Sequence, residues 1–291
     1  MKILILGGTR FIGKELAKKL SASNKFIVDI FSKKKTNIKK INKQYLGNID
    51  NKYIKSKEKY DVIIDFISKK KKHIENIIKN FNFDTYVYVS TIWVDKKKKY
   101  NNINGYNYRS EYLSIDTTNY INDKIKIEGL LKKKISKKLK ILRLPLIFSK
   151  NTPRIQYYIT RIFYGKEIIF SRNLNKTHLF YADLKSIIKF LIQFITSINS
   201  YKNKIYYVIS GRISFLAFIK TISNLLKKNA SLHLYPKSFL LKCYKKYLYA
   251  EPFINEYLIN LSNKNLIKLK SSFSIRSIIK QNIKNFNKIN V

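Results

Sequence analysis

The sequence predicts an α/β protein built on a Rossmann-type doubly wound parallel sheet, with a small C-terminal lobe. Three observations support this fold class. The apolar run 3–6 leads directly into a glycine-containing turn, residues 11–20 then carry apolar side chains at helical spacing, and apolar strands alternate with helices further along the chain. Because parallel strands need right-handed helical crossovers between them, this alternation indicates a parallel sheet.

The individual elements are predicted from their own periodicity. Strands are expected at residues 3–6, 26–31, 62–66, 86–89, 139–142 and 204–209. Helices are expected at residues 11–20, 73–81, 120–134, 155–163, 184–195, 215–227 and 275–285. We expect residues 1–150 to form a dinucleotide-binding Rossmann domain. Residues 151–291 are expected to form a substrate-binding lobe of helices and one or two strands, partly interleaved with the Rossmann sheet.

Lysine dominates the charge of the chain. The 291 residues carry a formal net charge of +43, with 60 Lys and Arg against 17 Asp and Glu. A basic surface suits a nucleic-acid-binding protein, but Arg, whose planar fork pairs with phosphate in two places, is scarce. Lys, Asn, Ile and Tyr are the residues that adenine- and thymine-rich codons specify, so codon bias also explains the charge. We therefore favour non-specific binding of nucleic acid over a dedicated site.

Several other classes of protein are disfavoured. Cys243 is the single cysteine, which excludes an intramolecular disulfide and a cysteine-rich metal site. His73, His178 and His233 are far apart in sequence and form no metal pattern, so no metal is expected. The chain enters a strand almost at once, and no apolar run reaches the roughly 18 residues of a bilayer span. The expectation is a cytoplasmic protein with no membrane partner.

The turn after the first strand has the chemistry of a phosphate loop. Gly7 permits the tight turn, and Gly13 lets the next helix pack closely on the strand. The amides at the helix N-terminus can then bind a pyrophosphate. Arg10 stands where such loops usually have a glycine, and its guanidinium can contact a phosphate directly. The predicted cofactor-binding residues of the loop are Gly7, Gly8, Thr9, Arg10, Phe11, Ile12 and Gly13.

The end of the second predicted strand bears on the choice between NAD and NADP. An NAD site usually has an acidic residue there, which binds the ribose hydroxyls. Asp29 lies too early and inside the strand, whereas Ser32 and Lys33 follow at its end and suit a 2′-phosphate. The sequence therefore slightly favours NADP over NAD, with Ser32 and Lys33 as cofactor-binding residues.

The string Gly-Gly-Thr-Arg-Phe-Ile-Gly at residues 7–13 resembles the NAD-dependent epimerase/dehydratase family of extended short-chain dehydrogenases/reductases. Within it, the string is similar to the subgroup whose loop carries Arg instead of the middle glycine. Segments in the family's order continue along most of the chain. Residues 148–150 depart from the family's Gly-Pro turn, and Asp183 is expected to cap the helix that follows it. The resemblance implies cofactor contacts from Asn48, Ile49, Phe66 and Ile67, a catalytic hydroxyl at Thr91, and substrate contacts from Ser90, Trp93 and Arg143.

Tyr120 and Lys124 match the family's Tyr-x-x-x-Lys pair. The same spacing occurs at Tyr53 and Tyr181, but Tyr120 alone follows the Thr91 strand at the family's distance and opens an amphipathic helix. A spacing of four residues places both side chains on one helix face. Lys124 can there lower the pKa of the phenol, which is about 10 in water, and bond the nicotinamide ribose. Tyr120 then exchanges a proton with the substrate while a hydride moves.

Three functions stay open at this point. The resemblance implies an NAD(P)-dependent epimerase, dehydratase or reductase that acts on a sugar, most simply a nucleotide-activated one. The first alternative is an RNA-binding relative that reuses the Rossmann scaffold, which the high charge would suit. The second is a cofactor-binding protein whose activity has decayed. A homodimer is expected by analogy with the superfamily.

Overall fold

The computed structural model describes residues 1–50, 56–94, 117–171, 178–236, 261 and 265–289, so Tyr53 and Cys243 lie outside the described residues. The strands are β1 (Lys2–Leu6), β2 (Ile27–Ser32), β3 (Lys43–Leu46), β4 (Lys59–Asp65), β5 (Asn82–Thr91), β6 (Leu139–Leu144), β7 (Leu146–Phe148), β8 (Ile168–Ser171), β9 (His178–Asp183), β10 (Ile205–Ile209), β11 (Gly211–Ser214), β12 (Leu232–Tyr235) and β13 (Leu266–Lys268). The helices are α1 (Phe11–Ser21), α2 (Lys71–Asn80), α3 (Thr117–Ile135), α4 (Pro153–Phe163), α5 (Leu184–Thr196), α6 (Phe215–Leu226) and α7 (Ile275–Ile289).

Eight strands form one central parallel sheet. Their order is β13-β10-β6-β5-β4-β1-β2-β3, and every neighbouring pair is parallel. The chain starts at β1 in the interior and builds outwards in both directions. The loops after β1 and β4 therefore diverge at the carboxyl edge of the sheet and leave a crevice, which is where open α/β sheets bind ligands. The predicted fold class is confirmed.

Both faces of the sheet are covered, which explains why its inner strands read as continuous apolar runs. Along β1, Ile3 and Ile5 belong to the core on the face covered by α1 and α5, whereas Leu4 and Leu6 belong to the core on the opposite face, which α2 and α3 cover. All four side chains are fully buried. The alternation fixes the register of β1, because a shift by one residue would exchange the two faces.

The C-terminal half contributes both to the central sheet and to a lobe of its own. Strands β10 and β13 complete one end of the eight-stranded sheet. A three-stranded sheet, β11-β9-β7, and a parallel pair, β12-β8, lie outside it, together with α4, α6 and α7, which share a separate apolar core. Among the helices that the structure describes, none has the length and apolar character needed to cross a membrane.

The predicted strands and helices are all present with shifted ends, and the elements that were missed are short strands. β3 has four residues at the edge of the sheet and buries Tyr45 alone. β7, β8, β11, β12 and β13 have three or four residues each, too few for an alternation to be visible in the sequence. β9, which precedes the capped helix α5, was recognised as a motif but not as a strand.

Candidate active site

The loop after β1 is shaped by close packing at Gly7 and Gly13. Gly7 has φ +94°, a left-handed conformation that glycine adopts without strain, and an added Cβ there would lie 2.5 Å from Ile67 Cγ2. Gly13 lies in the first turn of α1, where an added Cβ would collide with the carbonyl oxygen of Gly7. The two glycines thus let α1 and the loop after β4 approach the end of β1.

The N-terminus of α1 is open to an anion. Arg10 is the N-cap residue, its side chain makes no capping hydrogen bond, and the first turn of the helix contains no acidic residue. The first amides of a helix have no acceptor within the helix and carry its positive dipole end. Phe11 has φ 43°, a conformation that few non-glycine residues adopt, and its side chain is 49% exposed. Arg10 is also exposed, so both side chains are accessible beside the helix terminus.

The residues predicted to bind the ribose and adenine differ in accessibility. Ser32 is buried, and its hydroxyl donates to the Lys34 carbonyl and accepts from Gln44 Nε2, both at 2.8 Å. Lys33 is exposed. Asp29 is fully buried and accepts the Tyr60 hydroxyl at 2.7 Å, as its position inside the strand suggested. The Ser32 hydroxyl is therefore engaged within the protein, which leaves Lys33 as the accessible cation at the end of β2.

Asn48 and Ile49 also make internal contacts. Asn48 Oδ1 accepts the Asp50 amide at 3.3 Å, and the Ile49 carbonyl accepts Asn76 Nδ2 at 3.0 Å. The Ile49 side chain is 9% exposed and lies near the end of β1, where it shares a small recess with Leu6 and Phe31. This segment thus packs between the ends of β1 and β2 and helix α2.

Two hydroxyl-bearing residues end β5. Ser90 and Thr91 are 3% and 4% exposed, respectively. Thr91 Oγ1 accepts the Trp93 amide at 3.4 Å. Ser90 Oγ is buried and has no hydrogen-bond partner among the described residues, which is a costly arrangement for a hydroxyl and typical of functional sites.

Helix α3 brings Tyr120 and Lys124 to the same region. Tyr120 is half-buried, whereas Lys124 is 4% exposed. Lys124 Nζ donates to the Val89 carbonyl at 2.8 Å and lies 4.4 Å from the centroid of the Tyr88 ring and 5.8 Å from that of Tyr120. Burial lowers the pKa of Lys124 to about 8, against an opposing effect of the Asp65 carboxylate. Lys124 is therefore a buried ammonium directly behind Tyr120.

A cavity of about 730 Å³, here called the front cleft, joins these elements. Its walls come from the start of α1, the end of β5, Tyr120 and the segment from Leu144 to Thr152. The predicted site residues that line it are Arg10, Phe11, Ile12, Ser90, Thr91, Trp93 and Tyr120. It brings the end of the phosphate loop and the two proposed catalytic hydroxyls to one space. Lys124 lies behind the wall, and Ser32, Lys33, Asn48 and Ile49 lie away from the cleft.

Arg143, which was expected to contact the substrate, is engaged in contacts within the protein. Its Nε and Nη2 donate to the Glu128 carboxylate at 3.0 and 2.6 Å, and its Nη1 donates to the Tyr207 hydroxyl. The residue is 7% exposed and does not line the front cleft. A buried guanidinium needs such a two-fold pairing. Arg143 thus ties α3, the helix that carries Tyr120 and Lys124, to β6 and β10.

Three buried residues beside Lys124 were not among the candidates. Asp65 ends β4, and Tyr86 and Tyr88 lie on β5, all with 0% exposure. Tyr86 donates to Asp65 Oδ2 at 2.5 Å, and Tyr88 donates to the Ser68 carbonyl at 3.1 Å. A carboxylate directly after the apolar run 62–64 is visible in the sequence, and it is the one signal that points to this cluster.

Comparisons with known proteins identify the fold. No protein-family model matches the sequence, and no curated protein matches it either. A UDP-glucuronic acid 4-epimerase from Bacillus cereus, solved with NAD, matches with a TM-score of 0.64 and 15% identity over 100% of both chains. A UDP-N-acetylglucosamine 4-epimerase from Methanobrevibacter ruminantium M1, solved with UDP-N-acetylmuramic acid, matches with a TM-score of 0.64 and 16% identity over 99% of this chain and 98% of that one.

A dTDP-glucose 4,6-dehydratase from Bacillus anthracis str. Ames, solved with NAD, has a TM-score of 0.62 and 13% identity, and the match covers 99% of this chain and 97% of that one. These matches extend through the C-terminal lobe as well as the central sheet. The chain therefore shares, over nearly its whole length, the fold of NAD-dependent nucleotide-sugar epimerases and dehydratases.

Proposed function

We propose that this protein is an NAD(P)-dependent enzyme of the short-chain dehydrogenase/reductase type that epimerises, dehydrates or reduces a nucleotide-activated sugar. One observation carries the proposal: the start of α1, the Thr91 hydroxyl and Tyr120 border a single cleft, with the Lys124 ammonium buried behind Tyr120. A phosphate loop alone would support a binding protein. A phosphate loop that borders the same cleft as Tyr120, with Lys124 packed behind the tyrosine, supports a redox enzyme.

The residues present suit a dinucleotide. The backbone at Gly7 and Gly13 has no room for a Cβ, which is the close approach that a pyrophosphate-binding turn requires. The uncapped N-terminus of α1 offers amides to the phosphates. We assign residues 7–13, Phe66, Ile67 and Lys124 to cofactor binding. A volume of about 730 Å³ is in the range of small-molecule sites.

The chemistry follows from what each side chain can do. A bound nicotinamide supplies the hydride acceptor and donor. Tyr120, as the phenolate, takes the proton from the substrate hydroxyl as the hydride leaves carbon, and the phenol returns it in the reverse direction. The Lys124 ammonium, 5.8 Å from the Tyr120 ring centroid, favours the phenolate by its positive charge. Thr91 binds the same substrate oxygen, and Ser90 and Trp93 contact the sugar.

The substrate class and the cofactor are proposed on separate grounds. The structural neighbours are named for UDP- and dTDP-sugars, and several were solved with NAD. Here β2 ends in Ser32 and is followed by Lys33, without an acidic residue for the ribose hydroxyls. The exposed Lys33 suits a 2′-phosphate, so we propose NADP as the slightly preferred cofactor.

The test is a fluorescence titration of the purified protein with NADH and NADPH, followed by a screen of nucleotide sugars. Binding of either dinucleotide, with NADPH at least as tight as NADH, is the expected result. A Lys33→Ser variant should lose affinity for NADPH but not for NADH. If neither dinucleotide binds, the proposed function is wrong; if both bind and no nucleotide sugar is turned over, the protein is a cofactor-binding protein without this activity.

A further inference from the structure

A buried carboxylate that the proposed chemistry does not use lies between the two halves of the site. Asp65 ends β4 with 0% exposure. Its Oδ1 accepts the backbone amides of Ile67 and Ser68 at 2.8 and 2.9 Å, and its Oδ2 accepts the Tyr86 hydroxyl at 2.5 Å. Burying a carboxylate is costly unless donors surround it in this way.

On one side, Asp65 shapes the loop that faces the phosphate loop. The two amides that it binds turn residues 66–68 back across the end of β4. The Phe66 amide donates to the Leu6 carbonyl at 3.1 Å, which ties this loop to β1. Ile67 then lies against Gly7, so closely that an added Cβ on Gly7 would be 2.5 Å from Ile67 Cγ2. Asp65 thereby sets one wall of the crevice at the β1–β4 switch point.

On the other side, Asp65 adjoins the strand residue that Lys124 contacts. Asp65 pairs with Tyr88 across β4 and β5, and the Lys124 ammonium lies over the Tyr88 ring. The Lys124 ammonium contacts the Val89 carbonyl and the face of Tyr88, which are dipoles rather than full charges. The charged groups around it are Asp65 at the end of β4, Lys69 after that strand, and Asp123 and Glu128 on α3, with Tyr88 and Tyr120 as the neighbouring phenols. Burial lowers the pKa of Lys124, and Asp65 is the foremost of the groups that oppose this.

We propose that Asp65 is a positioning residue of the dinucleotide site: it holds the loop 66–68 against the phosphate loop and supplies a negative charge that compensates the buried Lys124 ammonium. The inference rests on the proposed function, because it is Lys124 as an ammonium that would bind the cofactor ribose and support the Tyr120 phenolate. The same carboxylate thus couples the shape of the cofactor cradle to the charge of its lysine.

The first test needs no cofactor. Urea midpoints are measured at pH 7 for wild type, Asp65→Asn, Lys124→Met and the double variant. If the Asp65 charge compensates the ammonium, Lys124→Met recovers at least half of the midpoint loss caused by Asp65→Asn, because no uncompensated ammonium remains. Additive losses overturn the proposal, since they indicate a role limited to the loop amides. If Asp65→Asn does not fold, the double variant should fold again; failure of both overturns the proposal.

Asp29→Asn is the matched control. Asp29 is also a fully buried strand carboxylate that accepts a tyrosine hydroxyl, at 2.7 Å from Tyr60, but it lies on β2, which β1 separates from β4 and Asp65. Its destabilisation should add to that of Lys124→Met. Recovery of Asp29→Asn by Lys124→Met would show that the rescue is unspecific and would overturn the proposal.

The second test links Asp65 to binding. The affinity for NADPH or NADH is titrated from pH 6 to pH 9 in wild type, Asp65→Asn and Asp29→Asn. Removal of the Asp65 charge should lower the pH midpoint of the affinity by about one pH unit, while Asp29→Asn leaves it unchanged. Coincident midpoints for Asp65→Asn and wild type overturn the proposal. Absence of dinucleotide binding at any pH refutes the proposed function instead, and the urea experiment then decides the role of Asp65 alone.

Discussion

Two cavities of similar volume border α1 and meet at Phe148 and Ser149, yet their chemistry differs. The front cleft, of about 730 Å³, has a largely apolar lining at the carboxyl ends of the sheet strands, and its polar groups are mainly hydroxyls with one guanidinium. The second cavity, here called the rear groove, has about 830 Å³ and lies between α1, α5 and α7. Its rim carries five lysines, none of which forms an ion pair among the described residues: Lys18, Lys19, Lys150, Lys185 and Lys189.

The contrast between the two cavities shows that, in a lysine-rich chain, positive charge alone does not identify the functional site. Volume does not separate the two cavities, and positive charge points to the rear groove. The front cleft is distinguished by side chains and backbone held in unfavourable arrangements. These are a buried Ser90 hydroxyl with no partner among the described residues, Phe11 in a left-handed conformation, and a buried ammonium behind Tyr120. Such features cost stability and persist where function requires them. The rear-groove lysines are exposed and satisfied by solvent, so their presence costs little.

The largest expected effect is at Tyr120 in the front cleft. Tyr120→Phe removes the proposed proton acceptor and donor while keeping the ring, so turnover of the nucleotide sugar should fall by roughly 10²- to 10⁴-fold. The dissociation constant for the dinucleotide should change little. Steady-state kinetics and fluorescence titration on the same preparation measure both quantities. Unchanged turnover would remove Tyr120 from the mechanism, and Tyr181→Phe, which matches the same Tyr-x-x-x-Lys spacing, is the control.

Part of the fold and of the candidate site could be predicted from the sequence, and part depends on contacts between distant segments. The long elements were predictable because each depends on local periodicity. The order of the glycine loop, Thr91 and Tyr120 was predicted from the resemblance to the epimerase/dehydratase family. The pairing of Arg143 with Glu128 and Tyr207 was not, since it joins β6, α3 and β10 through contacts between distant segments. The internal use of the Ser32 hydroxyl likewise depends on Gln44 of β3, a strand too short to predict.

A second prediction concerns the buried ammonium of Lys124. Its pKa in the fold, about 8, is below the ordinary value of 10.5, so between these two pH values the unfolded chain binds more protons than the native one. Wild type should therefore gain stability as the pH rises through this window, by up to about 3 kcal/mol at 1.36 kcal/mol per pKa unit. Lys124→Met lacks this gain. Urea unfolding of both proteins at pH 7, 8, 9 and 10 measures the difference, and parallel pH profiles would contradict it.

A third prediction addresses the backbone of the phosphate loop. Gly13→Ala forces a methyl group against the Gly7 carbonyl oxygen, which is backbone and cannot move aside. The free energy of unfolding should fall by about 2 kcal/mol, and dinucleotide binding should weaken with it. Gly129→Ala is the matched control, because no atom lies within 4 Å of a Cβ there and Gly129 is on helix α3. That control should be stabilised by up to about 1 kcal/mol. Equal losses of unfolding free energy in both variants would show that the close contact at Gly13 does not determine its effect.

The smallest expected effect on the cofactor is in the rear groove. Reversing the charge of Lys185 and Lys189 together, as Lys185→Glu and Lys189→Glu, should change the dinucleotide dissociation constant by less than about twofold at physiological salt, where charges beyond roughly 8 Å are screened. The affinity for single-stranded RNA should fall together with its salt dependence, whatever the RNA sequence, because such binding releases counterions from phosphates.

The matched control combines Lys220→Glu with Lys227→Glu, which change two exposed lysines at α6. If the groove only adds to the general charge, both pairs weaken RNA binding equally. If only the variant with Lys185→Glu and Lys189→Glu loses dinucleotide affinity, the functional distinction between the two cavities is wrong. That result would place the cofactor in the rear groove, beside the lysines, and not in the front cleft, beside the hydroxyls.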